Sequence, residues 1–138
     1  MTRQPPAGAG ARPSPLRTFA RQERASFGYA FAGLGYCWRT QRHLRIHALI
    51  AAIAVGLGLA LGLTPAEWAA LVVMIAVVAS LELLNTVVEV VVDLATPEFH
   101  PKAKIAKDAA AGAVLAGALG AVALAAVLFI PRLWRLLA

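Results

Sequence analysis

The chain has 138 residues, of which 60% are hydrophobic and 14% charged, with a mean hydropathy of +0.72. Soluble domains lie nearer a quarter charged, so this composition excludes an ordinary water-soluble globule and describes a small, single-domain integral membrane protein. Net charge is +6, but eight of the 13 Lys/Arg precede residue 46 and flank apolar runs, which points to an anionic lipid surface and away from nucleic acid.

Residues 1–15 are rich in Pro, Gly and Ala, with Arg3 and Arg12 as their charges and no apolar core of the secretory-signal kind. A disordered tail is expected there. Between residues 16 and 39 the pattern becomes amphipathic. Phe27, Phe31, Leu34 and Trp38 recur at steps of four, three and four, opposite a basic row of Arg17, Arg21 and Arg24. This spacing predicts a helix lying in the membrane interface. The lone Cys37 excludes an internal disulfide. A basic collar, QRHLRIH, follows at residues 41–47; His43 and His47 stand four apart, but no third ligand of the usual kind is close, so they do not read as a metal site.

A first transmembrane helix is expected over residues 46–63, about 27 Å long at ~1.5 Å per residue, with His47 its one polar residue. Gly58 and Gly62 form a GxxxG signal for close helix approach. Thr64, Pro65, Glu67 and Trp68 then spell a turn: a capping threonine, a first-position proline, a carboxylate at the positive helix end and an interfacial tryptophan. A second helix is expected over residues 66–94, roughly 43 Å, longer than the hydrocarbon core. A polar connection containing Lys102, Lys104 and Lys107 leads into a third span, residues 104–130, whose last part, 109–130, carries no charge and which Pro131 is expected to end. The basic collar and the lysine connection fall on one side, expected to be the cytoplasm; the Arg- and Lys-free hairpin at Thr64 falls outside, and Arg132 and Arg135 are mild exceptions.

The chemistry concentrates in residues 80–93, SLELLNTVVEVVVD. Glu82, Asn85, Glu89 and Asp93 are spaced three, four and four apart and share one helix face, a polar stripe on an apolar rod. Carboxylates at membrane depth persist where they face protein, water or metal. Three readings fit that spacing: structural ion pairs with the lysines, a proton or cation relay in a small oligomeric transporter, and phosphoryl transfer. The last needs a carboxylate-held metal, a cation on the phosphates and a base near the acceptor hydroxyl, parts that Glu82, Glu89 and Lys107–Asp108 can supply. The chain has no GxxxxGK[ST], so any nucleotide site is not a P-loop. Spacing alone does not choose among them.

The run ELLNTVVEVVVD from Glu82 to Asp93, with EFHP from Glu98 and AKDAAA from Ala106, closely resembles the prokaryotic diacylglycerol kinase family. The segment FGYAFAGLGYCWRTQRHLRIH, from Phe27 to His47, resembles the same family's amino-terminal part, so the likeness covers about residues 27–130. Its pattern looks most like the branch that phosphorylates undecaprenol. The resemblance implies an all-α, homotrimeric lipid kinase of the bacterial inner membrane, with residues 16–138 as the kinase domain and its amino terminus and active site cytoplasmic. It implies ATP and Mg²⁺ as cofactors and a membrane alcohol, undecaprenol or else diacylglycerol, as acceptor. By the same resemblance Glu82 is the catalytic base and Asn85 orients groups at the reacting phosphate. Glu89 holds Mg²⁺, and Lys107 with Asp108 completes a nucleotide site to which Tyr29, Glu98, Phe99 and His100 contribute. Asp93 matches a motif position. One departure stands out: Gln41 occupies a place where many members carry a metal-holding glutamate, so an oxygen donor is kept and its charge is lost.

Overall fold

The structure, a computed structural model, describes residues 15–96 and 98–137. The expected disordered tail therefore lies, apart from Pro15, outside the described residues. Four helices follow in order: α1 (Pro15–Thr40), α2 (Arg42–Ala60), α3 (Pro65–Ala95) and α4 (Pro101–Leu137). No strand occurs among the described residues. The last three helices are long and apolar enough to cross a membrane, and the protein is a multi-pass, all-α membrane protein.

A boundary after Gly35 divides the chain into two units. In the first, α1 carries the expected aromatic side, with Phe27 and Phe31 exposed, and Arg21 and Arg24 are exposed as well. In the second unit α4 packs chiefly along α3, and α2 also lies mainly on α3. The buried core of Leu63, Leu71, Leu128 and Phe129 sits at the hairpin end of these helices, with Trp68 and Leu61 packed against it.

The hairpin end is built from local signals. Glu67 N–H donates to Thr64 Oγ1 at 3.4 Å, and Glu67 Oε2 accepts from Thr64 N–H and Oγ1–H at 2.8 Å each, a complete capping box with Pro65 at the first helical position. Ahead of it, Leu63 N–H reaches back to the Gly58 carbonyl at 3.1 Å while Gly62 takes φ 66°, the closure that satisfies the last carbonyls of α2. The GxxxG pair thus serves a turn and not an interhelical seam, because Gly62 already lies past the end of α2. Gly58 is needed for close approach: a Cβ there would stand 2.5 Å from Leu63 Cδ1 and 3.0 Å from the Trp68 ring. Gly117 plays the corresponding part between α4 and α3, where a Cβ would meet Leu81 Cδ1 at 2.6 Å.

The third span departs from expectation. Helix α4 does not stop at Pro131 but runs on to Leu137. A mid-helix proline removes one amide donor and presses on the carbonyl four residues back. Here the following turn is held from outside the backbone ladder: Arg132 donates through Nη1 to the Leu128 carbonyl at 2.8 Å and through Nη2 to Glu67 at 2.6 Å. That pair ties the end of α4 to the start of α3.

The packing generates a test in detergent micelles. Gly58→Ala should destabilise the fold by about 1–3 kcal/mol through overpacking against Leu63 and Trp68. Gly56→Ala, whose Cβ meets nothing within 4 Å, should instead be neutral or gain up to about 1 kcal/mol from helix propensity. Equal effects in denaturant or thermal unfolding would contradict the packing described.

Candidate active site

The polar stripe forms as spaced. No glycine or proline interrupts residues 66–95, so α3 runs unbroken for 31 residues and keeps Glu82, Asn85, Thr86, Glu89 and Asp93 within a narrow band of its surface. Glu82 stands about 26 Å along the helix from Pro65, close to the full hydrocarbon thickness, so the stripe begins near one membrane boundary. The carboxylate residue is only 3% exposed, and its side chain makes no hydrogen bond or ion pair among the described residues. Thr86, one turn on, is equally buried and turns its hydroxyl back to the Glu82 carbonyl at 3.0 Å.

Glu89 is the centre of a small amide–carboxylate cluster. Asn85 Nδ2 donates to its Oε1 at 3.0 Å, and Gln41 Nε2 approaches its Oε2 at 3.5 Å. Gln41 is the single non-helical residue between α1 and α2, with extended backbone (φ −95°, ψ 110°), and its side chain makes no capping bond to α2. That break lets it cross to α3. The other end of the Asn85 amide, Oδ1, is buried and has no hydrogen-bond partner among the described residues. A half-turn of such an amide exchanges donor for acceptor at little steric cost, so the cluster can rearrange around a ligand.

A second group of predicted residues gathers where α3 ends and α4 begins. A cleft of about 380 Å³ is lined by Asp93, Glu98, Phe99, His100, Lys107 and Asp108, together with Lys104. Lys107 pairs with Asp93 at 2.5 Å and Lys104 with Asp108 at 2.5 Å. These are exposed pairs, and in the first of them the lysine on α4 is matched to the stripe on α3. His100 Nδ1 accepts from Lys102 N–H at 3.2 Å. Thr96 Oγ1 donates to the Glu98 carbonyl at 3.0 Å and shapes the connection.

The structure thus brings Gln41, Asn85 and Glu89 into one cluster and Glu98, Phe99, His100, Lys107 and Asp108 into one cleft, joined along α3 by Asp93. Tyr29 belongs to the first unit, where it is 78% exposed. Thr86 carries no signal in the sequence, and Lys104 stands there as a candidate ion-pair partner and not as part of the cleft. The Lys107–Asp93 pair is one of the stripe-to-lysine ion pairs that the spacing left open, whereas Lys104 pairs with Asp108, four residues on along its own helix.

Along the hydrocarbon-length part of α3 lies an apolar groove of about 420 Å³ between α2, α3 and α4. Its wall on α3 is Leu71, Met74, Ile75, Val78 and Ala79, and α4 contributes Ala118, Ala121 and Ala125. Leu71, Ile75, Val78 and Glu82 are spaced four, three and four, so the buried carboxylate follows one turn beyond the groove's wall on the same helix face.

Residues 28–129 match the family described as prokaryotic diacylglycerol kinase. The diacylglycerol kinase of Synechocystis sp. is 41% identical over 137 residues, 96% of this chain and 78% of that protein. The undecaprenol kinase of Bacillus subtilis is also 41% identical, over 108 residues covering 78% of this chain and 88% of its own. A diacylglycerol kinase of Helicobacter pylori is 33% identical over 105 residues, 76% of this chain and 81% of its own. With a buried carboxylate beside an apolar groove and a lysine-bearing cleft one helix end away, the chain belongs to the prokaryotic diacylglycerol kinase family and is a lipid kinase.

Proposed function

We propose that the protein transfers the γ-phosphoryl group of ATP to undecaprenol, giving undecaprenyl phosphate and ADP. The observation that carries this reading is the apolar groove whose α3 wall leads, turn by turn, to the unpaired Glu82. A long single-chain alcohol laid in that groove brings its one hydroxyl to the carboxylate. The Bacillus subtilis relative, an undecaprenol kinase matched over 88% of its length, supports the same acceptor. Diacylglycerol is the second reading, favoured by the Synechocystis relative, which matches 96% of this chain.

In this reading Glu82 takes the hydroxyl proton as the lipid oxygen attacks the γ-phosphorus; the bond from that phosphorus to the bridging oxygen breaks and ADP leaves. Burial without a hydrogen-bond partner keeps the carboxylate available to an alcohol that cannot leave the bilayer. Asn85, held on Glu89, orients the reacting phosphate. Lys107, Asp108, Glu98 and Phe99 bind the nucleotide in the cleft that His100 also lines, with Lys107 exchanging Asp93 for phosphate oxygen as ATP enters.

The donor set around Glu89 suits Mg²⁺. No group of three His, Cys, Asp or Glu residues able to hold a metal occurs among the described residues, but Mg²⁺ takes one or two carboxylates and completes its shell with water and phosphate. Glu89 supplies the carboxylate, Gln41 supplies an amide oxygen, and the buried, unpartnered Asn85 Oδ1 offers another oxygen in the same cluster. When bound there, Mg²⁺ would neutralise charge on the transferring phosphate.

We assign the chain to the bacterial inner membrane as a homotrimer, with the amino terminus and both polar clusters cytoplasmic. The basic collar and lysine connection favour that orientation. The exception at Arg132 is offset by its pairing with Glu67. The trimer rests on the family resemblance alone, because Glu82 and Thr86 are already buried within the single chain.

Two outcomes follow. In mixed micelles with labelled ATP and Mg²⁺, label should pass to undecaprenol at least about tenfold faster than to diacylglycerol, a discrimination of about 1.4 kcal/mol; the reverse preference would replace the acceptor and keep the mechanism. Gln41→Glu should lower the Mg²⁺ concentration giving half-maximal rate severalfold by restoring a second carboxylate. An unchanged Mg²⁺ requirement would remove Gln41 from the metal site.

A further inference from the structure

The start of α4 carries a detail that the nucleotide reading does not use. Helix α4 begins Pro101–Lys102–Ala103–Lys104. The His100 carbonyl accepts the first helical bond, from Lys104 N–H at 3.1 Å, which puts His100 in the N-cap position. Pro101 has no amide to satisfy, so Lys102 owns the first free N–H of the helix, and His100 Nδ1 accepts it at 3.2 Å. Asparagine is among the preferred residues at this position because its Oδ1 reaches the second or third amide. Imidazole Nδ1 sits at the same reach from Cα and makes the same bond.

We propose that His100 is a positioning residue for the nucleotide half of the site, its Nδ1 capping α4 and thereby holding Lys104, Lys107 and Asp108 in register against Asp93. Three observations carry it. The cap bond and the helical bond come from one residue. The side chains it organises lie within the first two turns of α4, where a frayed end would be felt. They line the same cleft as His100 itself. The arrangement fixes the ring chemistry as well: an accepting Nδ1 places the neutral ring's proton on Nε2. This goes beyond nucleotide contact, although its enzymatic readout rests on the kinase reading.

The test compares wild type with His100→Ala and His100→Asn, full length, in detergent micelles. Amide hydrogen exchange at Lys102 should speed by roughly fivefold in the alanine variant, the size of one lost cap, and return to within about twofold of wild type in the asparagine variant. The nitrogen chemical shifts of the ring should report the Nε2–H tautomer in wild type. In turnover, His100→Ala should raise the KM for ATP several-fold with kcat little altered, and His100→Asn should recover most of that loss. Equal exchange at Lys102 in all three proteins would overturn the cap. Restored exchange in His100→Asn with a KM as poor as that of His100→Ala would overturn the positioning role and leave the ring as a direct nucleotide contact. The exchange comparison needs no turnover, so failure of the kinase reading and failure of the cap are told apart.

Discussion

A carboxylate placed among apolar spans must be enclosed by protein, because hydrocarbon offers it neither water nor a partner. Glu82 obeys that constraint, and much of the second unit follows from it. Gly117 has no side chain, so α4 comes down directly on Leu81, the neighbour of Glu82. That close approach covers α3 where its polar stripe begins. Thr86 turns its hydroxyl back into the α3 backbone and so adds no unsatisfied group to the buried turn. Beyond it the stripe meets polar partners: Asn85 and Gln41 on Glu89, then Lys107 on Asp93. Polarity rises step by step along one helix, from an apolar groove through a buried carboxylate to exposed charged pairs.

The two ends of the bundle are built for different purposes. At the hairpin end, Leu63, Leu71, Leu128 and Phe129 make the buried core, a capping box starts α3, and Arg132 joins Glu67 across the helices. Thr64, Glu67 and Arg132 there satisfy one another, which gives a closed end. The opposite end keeps exposed pairs, an open cleft and an amide oxygen without a partner. Matched groups stabilise a fold. Exchangeable pairs and unpartnered oxygens suit a ligand that arrives with its own charge.

The sequence made the helices, the hairpin signals and the stripe legible because each rests on local periodicity or on residues within one turn. Thr64 read as a cap and Glu67 as a carboxylate at the positive helix end, and the structure closes the two into a capping box. What it hid depends on partners far along the chain. Pro131 read as a terminator because its neighbour's anchor, Glu67, lies 65 residues away. Gly58 and Gly62 read as a helix seam because spacing cannot reveal that Gly62 closes a turn. His100 gave no capping signal, since histidine is not among the usual caps. At the site, spacing alone left ion pairing, transport and phosphoryl transfer open; membership of the kinase family decides among them, while the acceptor's identity is written in apolar surface that carries no residue code.

The central claim is that buried Glu82 serves as the base, and the most direct measurement is single-turnover phosphoryl transfer by Glu82→Gln with lipid alcohol in micelles. The account predicts a fall in the chemical step of about 10²–10⁴-fold, with ATP affinity within about twofold of wild type and an unchanged melting profile. A variant that keeps wild-type turnover, or that loses activity only by unfolding, would contradict it.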